Sequence, residues 1–300
     1  LHEGRNVWTD ACPMKANHEI RSSTAPALAV AHHKLYCAYV DPYWSSLKFV
    51  KTGTSHSSSE NDGLSRYFPT GWTDLHWDDP QDIVGEVDPS FSPALAAFTG
   101  GQSSGLYAAY VEKTTGLLKC VVLFWGEGFF RLNKLPSGFT PVDFDQPRKS
   151  LSAPALVLLN GQLKCVYRDA QLGWVTLGYQ PSPAHGAIKD VQPGSWHVEE
   201  DSDLQLDTQT IALSQWDLPA GPALVAMGRG LGDDRTLHYA CAPSTGRGRG
   251  QDIRWQAPVH TRACRTSFGS AMVSYGRVLH SFHQHDDGWI DWLTATAPKA

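Results

Sequence analysis

The chain has 300 residues, of which 41% are hydrophobic and 18% are charged, which is the composition of a folded globular protein. A formal net charge of −5 excludes the strongly basic surface that is typical of nucleic-acid binders. No apolar run reaches the roughly 18 residues of a membrane-spanning helix, so no membrane partner is predicted.

Five copies of a two-strand motif recur along the chain at intervals of about 60 residues. The first strand of each copy is an apolar run such as Pro26-Ala-Leu-Ala-Val, and these runs begin at Pro26, Pro93, Pro154, Pro222 and Ser270. The second strand mixes apolar and polar residues, and it begins at Leu35, Leu106, Leu163, Leu237 and Leu279. The uninterrupted apolar runs predict first strands that are buried on both faces.

Each copy also shows the pattern of a third strand, and three copies show that of a fourth. Third strands are predicted to begin at Leu47, Leu117, Leu172, Ile253 and Trp289. Outer strands are predicted at Trp72, Phe129 and Trp196, whereas the fourth copy has no clear outer strand. Because Val7–Asp10 resembles Gly71–Asp74, we expect the N-terminus to supply the outer strand of the last copy and to close a ring.

Five four-stranded units predict an all-β, five-bladed β-propeller with antiparallel blades, which forms a single domain over residues 1–300. The blades are predicted at 26–88, 93–150, 154–217, 222–266 and 270–300, the last completed by residues 1–20. Six blades are an alternative to five. A pair of β-sandwiches or a barrel would leave the repeat period unexplained.

The cysteines match no zinc or redox motif, because their spacings are wide. Cys37 and Cys165 occupy the same place in copies 1 and 3, where copy 2 has Ala108, which indicates a small, buried and reduced side chain. A disulfide between Cys12 and Cys264 stays open. A chain that begins with a residue other than Met is expected to be a processed form, and secretion is one interpretation.

Loops that join the second and third strands are predicted at one end of the blades, where propellers bind ligands. They are 41–46, 112–116, 168–171, 242–252 and 284–288. Near the start of four of them stands an acid: Asp41, Glu112, Asp169 and Asp286. Because Asp is favoured in turns, turn chemistry is the preferred interpretation, and acid, base and stabiliser roles in glycoside cleavage are the alternative.

Two histidines of the last copy, His283 and His285, point to the same side of a predicted strand. No second cluster with ligand spacing accompanies them, so no metal is predicted, and hydrogen bonding or acid chemistry in a pocket is the role that we retain. The chain has no glycine-rich nucleotide loop, Gly-x-Ser-x-Gly elbow or His-Glu-x-x-His motif, and no cofactor is predicted.

The tryptophans fall into two groups. Those at repeat-related strand positions are expected to pack within the blades. The others lie at strand ends or in loops, and they are Trp44, Trp77, Trp125, Trp216 and Trp289. An exposed ring at such a place could stack on a sugar or line an apolar pocket, and packing beneath a loop is the alternative for each.

The repeat of Pro-Ala-Leu-Ala-Val, Leu-Tyr-Cys-Ala-Tyr and Leu-Lys-Phe strands resembles the blades of lectin-like β-propellers of fungi and bacteria over nearly the whole chain. Such lectins keep a similar sugar site in every blade, whereas the loops here differ in length and Arg168 has no counterpart in the other copies. In architecture the chain is also similar to the fungal enzymes that catalyse hetero-Diels–Alder cyclisation in tropolone–sesquiterpenoid pathways. That resemblance implies a cofactor-free enzyme of secondary metabolism with one specialised pocket.

Our first hypothesis is therefore a pericyclase whose aromatic-lined cavity orients two reactants and whose hydrogen-bond donors polarise a carbonyl. The candidate catalytic residues are His283, Arg168 and Tyr39, and the candidate substrate-binding residues are the five loop tryptophans, His285 and Asp169. The alternatives are a carbohydrate-binding lectin, a five-bladed glycoside hydrolase and an interaction module. The expected ligand is a small apolar or sugar-like molecule, and the oligomeric state stays open.

Overall fold

The computed structural model describes residues 20–31, 34–51, 78–98, 105–124, 140–142, 144, 146–180, 195–201, 204–206, 210–230, 236–243, 254–265, 270–275, 278–284 and 290–296. These residues form nineteen β-strands, and no helix occurs among them. The all-β prediction is confirmed over this part of the chain. Runs rich in Val, Leu and Tyr, separated by Gly, Asp and Pro turns, favour strands throughout.

The strands form five antiparallel sheets, each of which is a meander in chain order. Sheet 1 contains β1 (Ala27–Ala31), β2 (Lys34–Val40), β3 (Leu47–Lys51) and β4 (Gln81–Val84). Sheet 2 contains β5 (Ala94–Phe98), β6 (Gly105–Val111), β7 (Leu118–Phe124) and β8 (Thr140–Val142). Sheet 3 contains β9 (Ala155–Leu159), β10 (Gln162–Asp169), β11 (Gly173–Gln180) and β12 (Ser195–Asp201). Sheet 4 contains β13 (Ala212–Leu218), β14 (Gly221–Arg229), β15 (Thr236–Pro243) and β16 (Val259–Arg265). Sheet 5 contains β17 (Ser270–Tyr275), β18 (Val278–Gln284) and β19 (Ile290–Thr296).

The first strands of successive sheets contact one another, in the order β1, β5, β9, β13 and β17. The sheets therefore stand face against face in chain order, with their first strands together. This arrangement of antiparallel meanders is the architecture of a β-propeller. The strand that was predicted to close the ring, Val7–Asp10, lies outside the described residues, as do the predicted outer strands at Trp72 and Phe129.

The second strand of each sheet, rather than the first, is the most deeply buried. Every residue of β6 is buried, and so is Tyr36–Val40 of β2. In β1 the side chains of Leu28 and Val30 are 57% and 50% exposed. The prediction that first strands are buried on both faces is wrong for β1. A second strand has strands on both edges and sheets on both faces, whereas β1 packs only its Ala27 and Ala29 side against the core of sheets 1 and 2.

The fourth repeat is shifted by one strand relative to the sequence prediction. The Pro222 motif forms β14, the second strand of sheet 4, and β13 precedes it as the first strand. The Leu237 motif forms the third strand, β15, and the sheet then ends with β16. The loop between second and third strands is consequently 230–235 rather than 242–252. The motif marks an apolar strand, and first and second strands are both apolar enough to carry it.

The described cysteines bear out the sequence interpretation of Cys37 and Cys165. Both are buried free thiols, and burial raises the pKa of Cys37 to about 11. A thiol with that pKa stays protonated and behaves as a small apolar side chain. Cys12 lies outside the described residues, so the Cys12–Cys264 disulfide stays an open prediction.

Candidate functional site

The turn between the second and third strands repeats from sheet to sheet. In sheets 1 and 2 the N–H of the turn acid, Asp41 or Glu112, donates to a carbonyl at the start of the third strand at 2.9 Å. Four residues after each acid the backbone has a positive φ, at Ser45 (49°), Gly116 (69°) and Gly173 (81°). The recurring acids therefore belong to one shared turn geometry.

The carboxylates of these acids support their own turns. Asp41 Oδ1 accepts hydrogen bonds from the N–H groups of Tyr43 (2.9 Å) and Trp44 (3.0 Å). Glu112 accepts a hydrogen bond from the Thr115 hydroxyl. The turn interpretation is confirmed for the described acids, whereas Asp286 lies outside the described residues.

Asp169 is engaged through both of its carboxylate oxygens, and its side chain is buried. Its Oδ1 accepts the N–H groups of Gln171 (2.8 Å) and Leu172 (3.2 Å), and its Oδ2 accepts the Tyr167 hydroxyl (3.0 Å). Both oxygens are thus occupied within sheet 3 and its turn.

The three candidate catalytic residues lie in three different sheets. Tyr39 is 3% exposed on β2, where burial, with the nearby Asp41 carboxylate, raises the pKa of its phenol far above the usual value. Arg168 is half-buried at the end of β10, and its backbone N–H donates to Ser152 Oγ (2.8 Å). His283 lies on β18, between Ser270 and Asp291 in the strand register.

Arg168 also has a counterpart in sheet 4 that the alignment of the repeat motifs does not show. Arg229 ends β14 directly before the turn of sheet 4, where Gly230 N–H donates to the Thr236 carbonyl (3.1 Å). The prediction that Arg168 stands alone is wrong, because the fourth repeat is shifted by one strand.

The candidate substrate-binding residues are also scattered. Trp44 is 77% exposed in the turn between β2 and β3, and Trp216 is half-buried on β13. Trp77, Trp125, Trp289 and His285 lie outside the described residues. The described candidates therefore belong to separate turns and strands.

The most unusual polar pair of the described chain was not predicted. Lys164 and Glu199 form an ion pair in which the side chains are 1% and 5% exposed, and Lys164 Nζ also donates to Gln162 Oε1 (2.9 Å). Charged side chains are rarely buried so completely without a specific role or a complete set of partners. The sequence did contain a sign of this pair. Lys164 follows the leucine of the second strand, at the position where copies 1 and 2 have Tyr36 and Tyr107.

Glu199 lies at a β-bulge of β12, with its carboxylate on the same face of sheet 3 as Lys164. The pairing of β11 with β12 shifts between Thr176 and Leu177, which leaves Glu199 as the extra residue. Its carboxylate lies over Gly178, where any side chain would collide with it. Gly178 therefore leaves room for this close approach, and a larger residue there would displace the Glu199 side chain.

The ion pair leaves one oxygen of Glu199 unsatisfied. Oε2 is buried and accepts no hydrogen bond from the described residues, although an unsatisfied buried polar atom is costly. His197 Nε2 lies 4.0 Å from Oε1, and the His197 side chain is 45% exposed. The carboxylate therefore lies between a buried ammonium group and a solvent-accessible imidazole.

The face of sheet 3 that carries Lys164 is turned toward sheet 4. On that face, Val166 and Trp174 belong to one apolar cluster with Leu224 and Ala226 of sheet 4. Trp255, just before β16, reaches across and its Nε1 donates to Thr176 Oγ1 (3.5 Å). Thr176 is two residues from Gly178 on the same face of β11, which brings the indole near the ion pair.

We call this group the 3/4 junction, and it consists of Lys164, Thr176, His197, Glu199 and Trp255. It combines a cation, a carboxylate oxygen that has no donor among the described residues, an imidazole at the rim and an indole from the next sheet. Such a set offers donors and acceptors beside an aromatic surface, which suits a polar ligand with several hydroxyl groups.

The described residues contain no group of three or more His, Cys, Asp or Glu side chains that could hold a metal ion. A helix long and apolar enough to cross a membrane is likewise not found among them.

Neither family models nor curated proteins show a match to this chain. Solved structures do. AofleA from Arthrobotrys oligospora has a TM-score of 0.57 at 10% identity, over 91% of this chain and 73% of its own. The SapL1 lectin, solved in complex with alpha methyl fucoside, has a TM-score of 0.54 at 12% identity, over 92% and 80%. A fungal lectin of Aleuria aurantia, a six-bladed β-propeller with a novel fucose recognition mode, has a TM-score of 0.51 at 10% identity, over 91% and 78%. At these identities the shared property is the propeller fold.

Proposed function

We propose that this protein binds carbohydrate, and that the 3/4 junction is its binding site. The observation that carries the proposal is the buried Lys164–Glu199 pair, whose Oε2 has no donor among the described residues and which lies near the Trp255 indole. The fold likeness to lectins supports it, since two of the similar structures are described by their binding or recognition of fucose or a fucoside.

Each group of the junction has a chemical role in this proposal. Because Glu199 Oε2 is buried, the junction must open at its rim before a sugar hydroxyl donates to this oxygen. The hydrogen bond that then forms is strong because the acceptor is charged. Lys164 donates to a neighbouring hydroxyl oxygen, and His197 contacts the ligand at the rim. The indole of Trp255 packs against the apolar C–H face of the sugar ring.

The same charges argue against the cyclisation enzyme of our first hypothesis. An apolar polyketide or terpenoid at this junction would offer no donor to Glu199 Oε2, which has none among the described residues, whereas a sugar hydroxyl offers one. The similar solved structures include lectins and give the cyclase no support. Carbohydrate binding is therefore the better-supported of the alternatives.

We further propose one site of this kind per chain rather than one per sheet. The residues equivalent to Lys164 in sheets 1 and 2 are Tyr36 and Tyr107, whose side chains carry no positive charge. The proposed site also uses the space beside the cation that Gly178 leaves for the Glu199 carboxylate.

Titration with methyl α-fucoside and a panel of simple sugars, followed by tryptophan fluorescence and calorimetry, tests both proposals. We expect saturable binding near one site per chain, with at least a tenfold loss in Glu199→Gln. The matched control is Lys51→Met, which removes a lysine whose ammonium group lies 3.7 Å from Asp78 in sheet 1. Unchanged binding in both Lys164→Met and Glu199→Gln would exclude the junction, and several equivalent sites would exclude the single pocket.

For the fold, we propose that the five sheets are five blades of one domain and that residues 1–19 complete the ring. The support is a repeated bond between a linker and the end of a second strand: Ser23 N–H to Val40 (3.0 Å), Asp88 to Val111 (2.8 Å) and Leu151 to Arg168 (2.7 Å). In sheets 2 and 3 that linker comes from the preceding sheet, so the segment before Ser23 is expected to come from the last one. Deletion of residues 1–19 should therefore lower the melting temperature, and an unchanged melting temperature would contradict closure.

A further inference from the structure

The turn between β2 and β3 presents two neighbouring aromatic side chains to solvent. Tyr43 and Trp44 are 74% and 77% exposed, more than any other large apolar side chain among the described residues. Large apolar groups that stay in water on a folded surface commonly mark a contact site. These two therefore require an explanation other than packing.

The turn holds these rings on a fixed backbone. The Asp41 carboxylate accepts both of their N–H groups, and the Ser45 carbonyl accepts the N–H of Val87 from the following linker (2.7 Å). Ser45 has a φ of 49°, a conformation that a non-glycine residue adopts only when its surroundings enforce it. A rigid anchor loses little conformational entropy when it binds.

The fold itself does not need aromatic residues at these two places. The same turn positions hold Thr114 and Thr115 in sheet 2, and Gln171 and Leu172 in sheet 3. The sheet 2 turn repeats the backbone bonds of the sheet 1 turn, from Glu112 N–H to the Leu117 carbonyl and from Gly116 N–H to the Glu112 carbonyl. The sheet 3 turn repeats the carboxylate bonds, because Asp169 Oδ1 accepts the N–H groups of Gln171 and Leu172. Sheet 1 thus exposes two rings where smaller or more polar side chains give an equivalent turn.

Charged groups of the same sheet lie close to the turn that carries the two rings. Lys48 Nζ lies 3.0 Å from Asp41 Oδ2 and 3.6 Å from Asp82 Oδ1, and the Asp82 side chain is 73% exposed. Aromatic faces beside an exposed carboxylate match a pyranose ring, which has apolar C–H faces and hydroxyl groups at its edge. The carboxylates also disfavour an anionic lipid surface.

We propose that Tyr43 and Trp44 form a second carbohydrate contact, which binds sugar rings of a polysaccharide and lies in a different sheet from the 3/4 junction. This inference rests on the proposed carbohydrate function and extends it from a single sugar to a chain. Two contacts on one molecule raise the affinity for a polymer without changing the affinity for a monosaccharide.

The test is retention of the full chain on insoluble cellulose, chitin and β-1,3-glucan. We expect retention of the wild type on at least one polymer and at least a tenfold loss in the double variant Tyr43→Thr, Trp44→Thr, which adopts the residues of the sheet 2 turn. Leu172→Thr is the matched control, because Leu172 is 47% exposed at the position equivalent to Trp44. The control should be retained like the wild type.

Four outcomes would overturn this inference: no retention of the wild type on any polymer, full retention of the double variant, an equal loss in the control, or binding to phosphatidylserine vesicles instead of polymers. Failure of the two proposals is distinguishable. Loss of polymer binding with intact binding of methyl α-fucoside or another simple sugar removes the turn and keeps the junction. Polymer retention without any simple-sugar binding does the reverse.

Discussion

The junctions on the two faces of sheet 3 use equivalent positions for opposite chemistry. Tyr107, which faces sheet 3 from sheet 2, lies edge-on to Tyr179 with ring centroids 5.0 Å apart, and Tyr179 lies 5.2 Å from Trp196. Lys164, at the equivalent position of the next sheet, instead forms the buried pair with Glu199. The same backbone therefore accommodates an aromatic contact on one face and a charged cluster on the other.

Strand β12 contributes to both junctions, which explains how they can differ so sharply. Trp196 and Val198 lie on the side of the strand that packs toward sheet 2. Glu199, the next residue after Val198, has its carboxylate on the opposite side of the strand, toward Lys164. The aromatic junction thus buries apolar rings between two sheets, whereas the charged junction holds polar groups that packing alone does not require, which is why we proposed a ligand there.

Replacing Trp196 with Ala should give the largest effect on stability. The indole is fully buried in the aromatic junction, so its removal should lower the free energy of unfolding by about 3–5 kcal/mol. Urea denaturation measures this loss. Sugar binding by the folded variant, measured well below its melting temperature, should be preserved, and a specific loss of binding would show that the two junctions are not separate.

Lys164→Met should have the next largest effect, because it leaves the Glu199 carboxylate buried without its cation. Breaking a buried ion pair in this way costs about 3 kcal/mol or more. In the double variant Lys164→Met, Glu199→Leu, the free energy of unfolding should return to within about 1 kcal/mol of the wild type, since apolar replacement of a buried pair is often neutral.

The double variant separates stability from binding. It should fold like the wild type and bind no sugar at the junction, as measured by calorimetry. A double variant that stays strongly destabilised would mean that the pair is structural, and the contrast between the junctions would then be one of packing alone.

The Tyr107→Phe variant tests whether ring packing or hydrogen bonding stabilises the aromatic junction. The hydroxyl of Tyr107 hydrogen-bonds with Tyr179, and burial, with the Tyr179 charge, raises its pKa far above the usual value. Loss of this bond, with the rings still packed, should lower the free energy of unfolding by about 1 kcal/mol. A loss as large as that of Trp196→Ala would show that hydrogen bonding, rather than ring packing, holds this junction.

The smallest effect on stability is expected at the Asp41 turn. This turn lies outside both junctions, so its contribution to stability at low pH can be measured independently of them. Partial burial tends to raise the pKa of Asp41, but hydrogen bonds from Lys48 and from the N–H groups of Trp44 and Tyr43 outweigh it, so the pKa lies below its usual value. Asp41 therefore stabilises the fold above its unfolded-state pKa, and the contribution is lost as the pH falls through the lower, folded value.

Urea denaturation between about pH 6 and pH 2 should show this loss as a fall in the free energy of unfolding. The Asp41→Asn variant should show a smaller fall than the wild type over the same range. The double variant at the 3/4 junction should keep the Asp41 contribution. An identical acid dependence in wild type and Asp41→Asn would rule out the assigned sign.

Repetition made much of this protein predictable. The recurring apolar motifs indicate strands, and acids at fixed places after the second strand indicate turns, because both depend on neighbours within a few residues. The exposure of Trp44 could be predicted in the same way, because it follows from the position of this residue in a turn. The prediction from sequence was wrong at the fourth repeat, because β13 lacks the Pro-Ala-Leu motif and β14 carries it. Composition cannot distinguish a first from a second strand when both are apolar.

The sequence by itself therefore determined the all-β repeat and the chemistry of its turns, since period-two strands and turn residues are short-range properties. Tertiary structure decided which strand of sheet 4 is innermost and which side chains share a junction. Lys164 and Glu199 are 35 residues apart, and they meet because the pairing of β10, β11 and β12 places both side chains on one face of sheet 3, where Gly178 leaves room for the carboxylate. A contact of that kind depends on register and close approach between strands, neither of which a local pattern of residues encodes.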